Sequence, residues 1–373
     1  MRLVNTRFAV TPELQKFNAR ALIQLVNDPR FEAAEHKPIS AHRARSHAAN
    51  PRVRSEDTLL YLFKDDEGLL AYLGCMPEQL GVSGIRFGWL TCMWTHPRGR
   101  GQGLASRLLR EAANDWAGNL LLGDFVPGME RVYAKSGAFG TQPHRIPGVR
   151  LYILSELARL LPPKASAFAK TRPLLRILDG IANVPLRFKT SFGVQAPSVT
   201  FEEHDGLTQQ ALAFIKSYPR SDSELRSAAG IQWMIDHPWI LPSKQPTANQ
   251  DGFYFTSYAS TARSRVLTIL DDLGSVCAVL VFFQRDAHLR LPYLFCRKAE
   301  IPQVLEVLRY HLSSWGVATF TTFQPQLVDA LLADPRPALR ARAISRNLMI
   351  ATALQPHVKA LALQDGDGDL GFT

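Results

Sequence analysis

The 373 residues exceed what one hydrophobic core usually holds, since single cores stop growing near ~250–300 residues, so two domains or one domain repeated is the expectation. With 46% hydrophobic, 20% charged and 9% aromatic residues the chain is neither disordered nor collagen-like, and its apolar runs fall far short of the ~20 residues of a transmembrane helix. A net charge of +10, from 43 Lys and Arg against 33 Asp and Glu, suits a polyanionic ligand or partner without choosing among nucleic acid, an anionic membrane face and a phosphorylated cofactor.

In chain order, residues 1–10 read as a strand carrying Arg2 and Arg7, without the apolar region of a signal peptide, so a cytoplasmic protein is expected. Residues 11–26 read as a helix with Thr11 as N-cap and Pro12 at its first position. Residues 36–54 read as an irregular basic loop; the stretch 42–54 alone has four Arg and two His. Strands are expected at 59–63 and 69–76, flanking the hairpin signature Asp65-Asp66-Glu67-Gly68, and again at 85–95. After the turn Arg98-Gly99-Arg100-Gly101-Gln102-Gly103 comes a helical stripe, Leu104, Leu108, Leu109, Ala112 and Trp116, closed by Gly118. Residues 119–123 form a short apolar strand, and residues 127–136 a helix stopped by Gly137.

Residues 150–189 hold eight Lys and Arg against two acids, together with Pro162, Pro163, Pro173 and Pro185, and read as an interdomain connector. From about Ser198 the order repeats: strand 199–203, helices 208–218 and 223–236, strands 265–270, 276–283 and 289–296, helix 301–315, strand 317–322, helix 325–332. Leu109-Arg110, Trp116, Phe125 and Pro127 match Leu308-Arg309, Trp315, Phe323 and Pro325 at offsets of 199 and then 198, which indicates an internal duplication. Four isolated cysteines, Cys75, Cys92, Cys277 and Cys296, lack the spacing of a metal site or a disulfide framework and read as core thiols, so no metal is expected. The end, Asp365-Gly366-Asp367-Gly368-Asp369, misplaces the glycine of a calcium loop and reads as a disordered acidic tail.

Residues 98–103 carry the chemistry. Between a strand and a helix, a glycine-rich turn lets backbone N–H groups approach phosphate oxygens, and the helix N-terminus adds partial positive charge. Gly101 and Gly103 permit that approach, while Arg98 and Arg100 offer charge-assisted donors. The turn lacks the Gly-Lys-Ser/Thr of a P-loop and the spacing and crossover of a dinucleotide fingerprint. An ordinary solvated turn is the alternative.

The pattern Arg98-x-x-Gly101-x-Gly103, after a strand ending Thr95-His96-Pro97, resembles the acyl-CoA pyrophosphate loop of the GNAT acyltransferase superfamily, as does the element order around it. The resemblance implies an α/β (α+β mixed sheet) architecture of two tandem GNAT-like folds: 1–153 with the acyl-CoA loop, a basic Pro-containing helical linker at 154–197, a degenerate copy at 198–356, and an acidic flexible tail at 357–373. It implies acetyl-CoA as cofactor, held by Thr95, Arg98, Gly99, Arg100, Gly101, Gln102, Gly103, Leu104 and Ala105. It also implies that Tyr133, in Tyr133-Ala134-Lys135-Ser136-Gly137-Ala138-Phe139, protonates the leaving thiolate. Here Pro97 abuts Arg98, Val126-Pro127 stands where the family often has Asn, and Ala138 is an extra residue. Asp124 and His96 lie where a general base could act or serve merely as turn and cap residues, and neither is assigned. In the second half the aligned segment 296–301 lacks glycine and Leu331 stands in place of Tyr133, so catalysis is expected to be lost there. Trp233, His237, Pro238 and Trp239 could line an acceptor groove or simply pack.

The expected activity is therefore transfer of acetyl from acetyl-CoA to a primary amine by direct attack. The acceptor is a small molecule or a sugar amine, an anionic one being preferred because of the basic loop. A tandem GNAT-like aminoacyl transferase using charged tRNA would employ the positive surface, but the intact loop argues against a nucleic-acid partner. A non-catalytic module binding CoA or an acyl carrier protein, or a membrane-surface binder working through residues 150–189, would be the non-enzymatic readings.

Overall fold

A computed structural model describes residues 12–81, 83–126, 128–161, 170–192, 196–218, 226–358 and 363–370. In the first half the strands are β1 (Glu13–Phe17), β2 (Leu60–Asp65), β3 (Gly68–Gln79), β4 (Arg86–Thr95), β5 (Leu120–Gly123) and β6 (His144–Tyr152). Its longer helices are α1 (Ala19–Asn27), α2 (Ala41–Ala48), α3 (Leu104–Asp115) and α4 (Glu130–Lys135). α5 (Arg172–Phe192) connects the halves. The second half contains β7 (Thr200–His204), α6 (Gln209–Ser217), α7 (Ala228–Asp236), β8 (Ala262–Leu270), β9 (Val276–Arg285) and β10 (His288–Cys296). It continues through α8 (Ile301–Ser314), β11 (Thr319–Thr322), α9 (Pro325–Ala333) and β12 (Arg340–Ile350).

These twelve strands join one mixed sheet in the order β1-β2-β3-β4-β5-β12-β6-β11-β10-β9-β8-β7, while the short strands Leu241–Pro242 and Tyr258–Ala259 pair apart from it. The list is a near palindrome of two equivalent sets. β4 pairs in parallel with β5, and β10 with β11, in each half. The last strands are exchanged: β12 of the second half pairs with β5 of the first, β6 of the first pairs with β11 of the second, and β6 and β12 lie antiparallel at the centre. The duplication is thus a property of the fold, but the halves form one continuous sheet with interlocked edges.

Several local expectations are corrected. Residues 1–11 lie outside the described residues; the predicted helix from Thr11 is instead β1 followed by α1, because Asn18 in extended conformation accepts from the Ala21 N–H and caps the helix there. The loop expected at 36–54 contains α2, whose Arg43, Ala44, Ser46 and His47 are buried. Trp233 and Trp239 donate from Nε1 to the Ser46 carbonyl (2.9 Å) and the Ser46 hydroxyl (3.0 Å), and the Arg43 guanidinium lies over the Trp239 ring. These tryptophans are buried and pack the first half onto the second, and of the basic stretch Arg43 and His47 are buried with them while Arg45 and Arg54 are exposed.

The largest correction concerns the end of the chain. Residues 363–370, expected as part of a flexible tail, are wedged between the halves, with Asp365 and Asp367 almost completely buried. Asp365 pairs with Arg290 (2.8 Å) and Arg346 (2.7 Å). Gly366 lies against the Tyr293 ring and Gly368 against Trp89, where a Cβ would clash with the indole. Buried guanidinium partners offset the cost of taking the Asp365 carboxylate out of water.

Candidate active site

β4 and β5 are hydrogen-bonded only over residues 88–90 and 120–122, after which they diverge. Cys92, in the left-handed conformation at φ 44°, coincides with the register shift between β3 and β4 and turns the strand at the point of divergence. The resulting cleft of about 590 Å³ is lined chiefly by apolar side chains, among them Leu73, Leu109, Leu122, Phe125 and Met129. Phe255 of the second half and Asp369 of the final segment close it. The edge of β4 facing β5 has no partner strand from residue 91 to 95, which leaves backbone donors for a ligand lying along it. Cys92 belongs to this lining rather than to an inert core, and burial pushes its thiol up to about 11, so it stays protonated.

Two residues on from Thr95 the chain enters the short turn Pro97–Gly99 and then α3. Gly101 and Gly103 adopt φ of 81° and 72°, and a Cβ at either would meet no protein atom. Glycine is needed here for the left-handed backbone, which aims successive N–H groups outward. Gly99 differs: a Cβ there would press on Leu104 and the Leu70 carbonyl, so this glycine seats the turn on β3. Arg98 is engaged by Asp65 (2.8 Å) and Glu67 (2.9 Å) across the hairpin turn, while its own carbonyl accepts from Gln102 Nε2. Arg100 is exposed at the mouth of the turn. Leu104 is buried in the core, so only its backbone N–H, with that of Ala105, faces the turn as the unpaired start of α3. Thr95 ends β4 opposite Ala71.

Tyr133, on α4, reaches the cleft with its ring held edge-on between Phe125 and Phe139. Burial, and secondarily the carboxylates of Asp369 and Glu130, hold its phenol above the usual range. Among the described residues nothing hydrogen-bonds its hydroxyl. Asp369 accepts from Trp89 Nε1 at 2.7 Å. Its burial raises the carboxyl to about 6, against the opposing pull of that hydrogen bond and of Arg43. This residue escaped the sequence reading because an acid in a Gly-Asp repeat looks solvated; only the distant Trp89 fixes it at the cleft. Asp124, also at the cleft, has its carboxylate on Arg346 (3.1 Å) and φ of 48°. His96 accepts the Arg98 N–H through Nδ1 (3.1 Å) and caps the turn. Both therefore have structural occupations.

The equivalent place in the second half is filled. β10 and β11 pair over residues 288–290 and 319–321 and then part like their counterparts. Gln324 Nε2 donates to the carbonyls of Leu291 (3.4 Å) and Pro292 (3.1 Å), Gln364 accepts from the Leu294 N–H (2.7 Å), and Gly366 donates to Pro292 (2.8 Å). The backbone edge left open in β4 is thus satisfied by protein in β10. Pro302 sits in the first turn of α8, Glu300 precedes it with a carboxylate, and Leu331 is wholly buried. Among the described residues, no left-handed glycine turn precedes α8 as one precedes α3.

Residues 19–137 match the family model described as the acetyltransferase (GNAT) family. No curated protein sequence matches the chain. Among solved structures it is similar to a conserved protein of Enterococcus faecalis V583 described as a probable N-acyltransferase, with 13% identity over 92% of this chain and 72% of that one and a TM-score of 0.50. It is also similar to a tandem GNAT protein from the clavulanic acid biosynthesis pathway (13% identity, 92% and 98% coverage, TM-score 0.49). N-myristoyltransferase of Saccharomyces cerevisiae with bound myristoyl-CoA is a further similar structure (10% identity, 94% and 84% coverage, TM-score 0.49). At such identities the likeness is one of fold.

Proposed function

We propose that this chain, whose residues 19–137 form a GNAT-family acetyltransferase domain, is an acyl-CoA-dependent N-acyltransferase with one working cleft, between β4 and β5. The observation that carries this reading is the open cleft lined by Tyr133 and Asp369, at the strand β4 whose end leads into a left-handed glycine turn and a helix N-terminus. A pantetheine arm fits the unpaired edge of β4, from residue 91 to 95, with the pyrophosphate on the N–H groups of residues 101–105 and Arg100 beside it. Since Arg98 is already paired with Asp65, it shapes the turn more than it binds.

Acetyl is the donor group we favour and a primary amine the acceptor. The free-base amine nitrogen forms a bond to the thioester carbonyl carbon, and Asp369 takes the proton that this nitrogen, now cationic, gives up. Backbone N–H groups of β4 near Cys92 stabilise the oxyanion. As the C–S bond breaks, Tyr133 gives its proton to the departing thiolate, and water returns a proton from Asp369 to the phenolate. Desolvation raises the phenol, but it raises a thiol in the same cleft too, so the transfer stays near balance. The volume and apolar lining of the cleft favour, as a second reading, an acyl group longer than acetyl. Release of free thiol from acetyl-CoA and from longer acyl-CoAs, against a panel of amines, tests the assignment. Amine-dependent release is expected. CoA binding without turnover on any acceptor would make the protein a binding module, and absence of both would refute the reading.

A further inference from the structure

α5 is amphipathic in the inverted sense. Its inward face is fastened largely by polar groups: Asp179 accepts from the Ser155 hydroxyl (2.7 Å) and from the N–H groups of Leu157 (2.7 Å) and Ala158 (2.9 Å). Asn183 exchanges two hydrogen bonds with the Ser155 backbone (2.7 and 3.0 Å). Leu175 is buried beside them, and Leu186 packs on the second-half core. The outward face carries Leu174, Ile177, Leu178, Ile181 and Val184, between 45% and 66% exposed. A surface helix normally turns such a stripe inward. Scattered exposed apolar residues need no explanation, but five at helical spacing on one face mark a surface that meets something.

The charge pattern says what. Asp179 is the only acid between Glu156 and Glu202, and it points inward. Lys170, Arg172, Arg176 and Arg187 lie exposed along the same segment. Two copies of this chain meeting face to face would set these cations against each other, on molecules already at +10. A surface offering hydrocarbon and negative charge together suits both features. Among the described residues no helix is long and apolar enough to cross a membrane, and α5, ~31 Å long at 1.5 Å per residue, has the proportions of one lying in the interface plane.

We infer that α5 is a docking surface for an anionic phospholipid bilayer, its Leu174–Val184 stripe inserted at the headgroup boundary and its Lys and Arg side chains on the phosphates. This goes beyond the acyl-transfer reading and does not depend on it. The test is co-sedimentation of the full chain with vesicles of phosphatidylcholine alone and with equimolar phosphatidylcholine and phosphatidylglycerol. Binding to the second only, weakened at ~0.5 M NaCl, is expected. Ile177→Asp with Ile181→Asp should lower partitioning at least about tenfold while leaving the thermal melt unchanged. Should that pair disturb folding, Arg172→Gln with Arg176→Gln, on the exposed rim, should still lower it about tenfold. The inference is overturned if the wild type ignores both vesicles, if the correctly folded variants bind equally well, or if the wild type is a dimer in solution that Ile177→Asp with Ile181→Asp converts to monomer without any lipid binding. That last result would make the stripe a contact between copies.

Discussion

Replacing Tyr133 by Phe deletes one hydroxyl from a ring fixed between Phe125 and Phe139, so packing survives and proton donation does not. Tyr133→Phe should lower kcat by ~10²–10⁴-fold with little change in CoA affinity, while Tyr152→Phe, on β6, stays within a small factor of wild type. Equal losses at both would point to the stability of the half rather than to catalysis. Asp369 must be ionised to accept a proton, and its carboxyl lies at about 6, so kcat/KM should fall as pH drops through that value. Asp369→Asn should lower kcat by ~10²–10⁴-fold and erase that acidic limb; a retained limb would assign it to another group. Tyr133 was readable because its neighbours Gly137 and Phe139 travel with it in sequence. Asp369 was not, because what makes it a base is burial against Trp89, 280 positions away.

Among elements, the turn before α3 and the segment 363–370 carry the most specific expectations. Gly103→Val forces a β-branched residue to φ 72°, at about 1–3 kcal/mol of strain, and turns the N–H groups that face the phosphates. Calorimetry should find CoA affinity abolished with far-UV circular dichroism intact. Gly274→Val, at φ 76° in equally open space in the second half, should share the strain and keep the affinity. Asp367 lies wholly buried beside Arg226 and Glu78, and desolvation raises its carboxyl to about 7. Over pH ~4–7 the folded chain therefore holds a proton that the unfolded chain has lost, so this residue's contribution is fullest at low pH and disappears as pH rises through 7. His47 and His288, kept neutral by burial, act in the opposite sense below ~6.5, so the informative quantity is a difference. The Tm of Asp367→Asn minus that of wild type should increase between about pH 5 and pH 8; a constant difference would place the raised carboxyl elsewhere. Most helices and strands were legible from periodicity and caps. β12 was not, since Arg340, Arg342 and Arg346 break its apolar alternation; the burial of Arg346 depends on Asp124 and Asp365, which no local window contains.

For the molecule as a whole, duplication without equivalence has a countable outcome. The first cleft is open and the second is sealed by Gln324, Gln364 and Gly366, so calorimetry should give one CoA per chain, and a stoichiometry near two would refute the asymmetry. The repeat was legible in residue matches and element order. The exchange of β6 and β12 was not, because hydrophobic pattern specifies that a strand pairs but not across which half. That exchange bears on how the protein is made. β5 and β6 wait for β12 to fill the gap between them, and at ~5–20 residues per second the ribosome takes on the order of ten seconds or more to deliver it. Throughout that interval a nascent chain displays two bare strand edges, a template for association with its neighbours on a polysome. A translation product that stalls before β12 is therefore a client for chaperones and proteases, and never a half-sized enzyme.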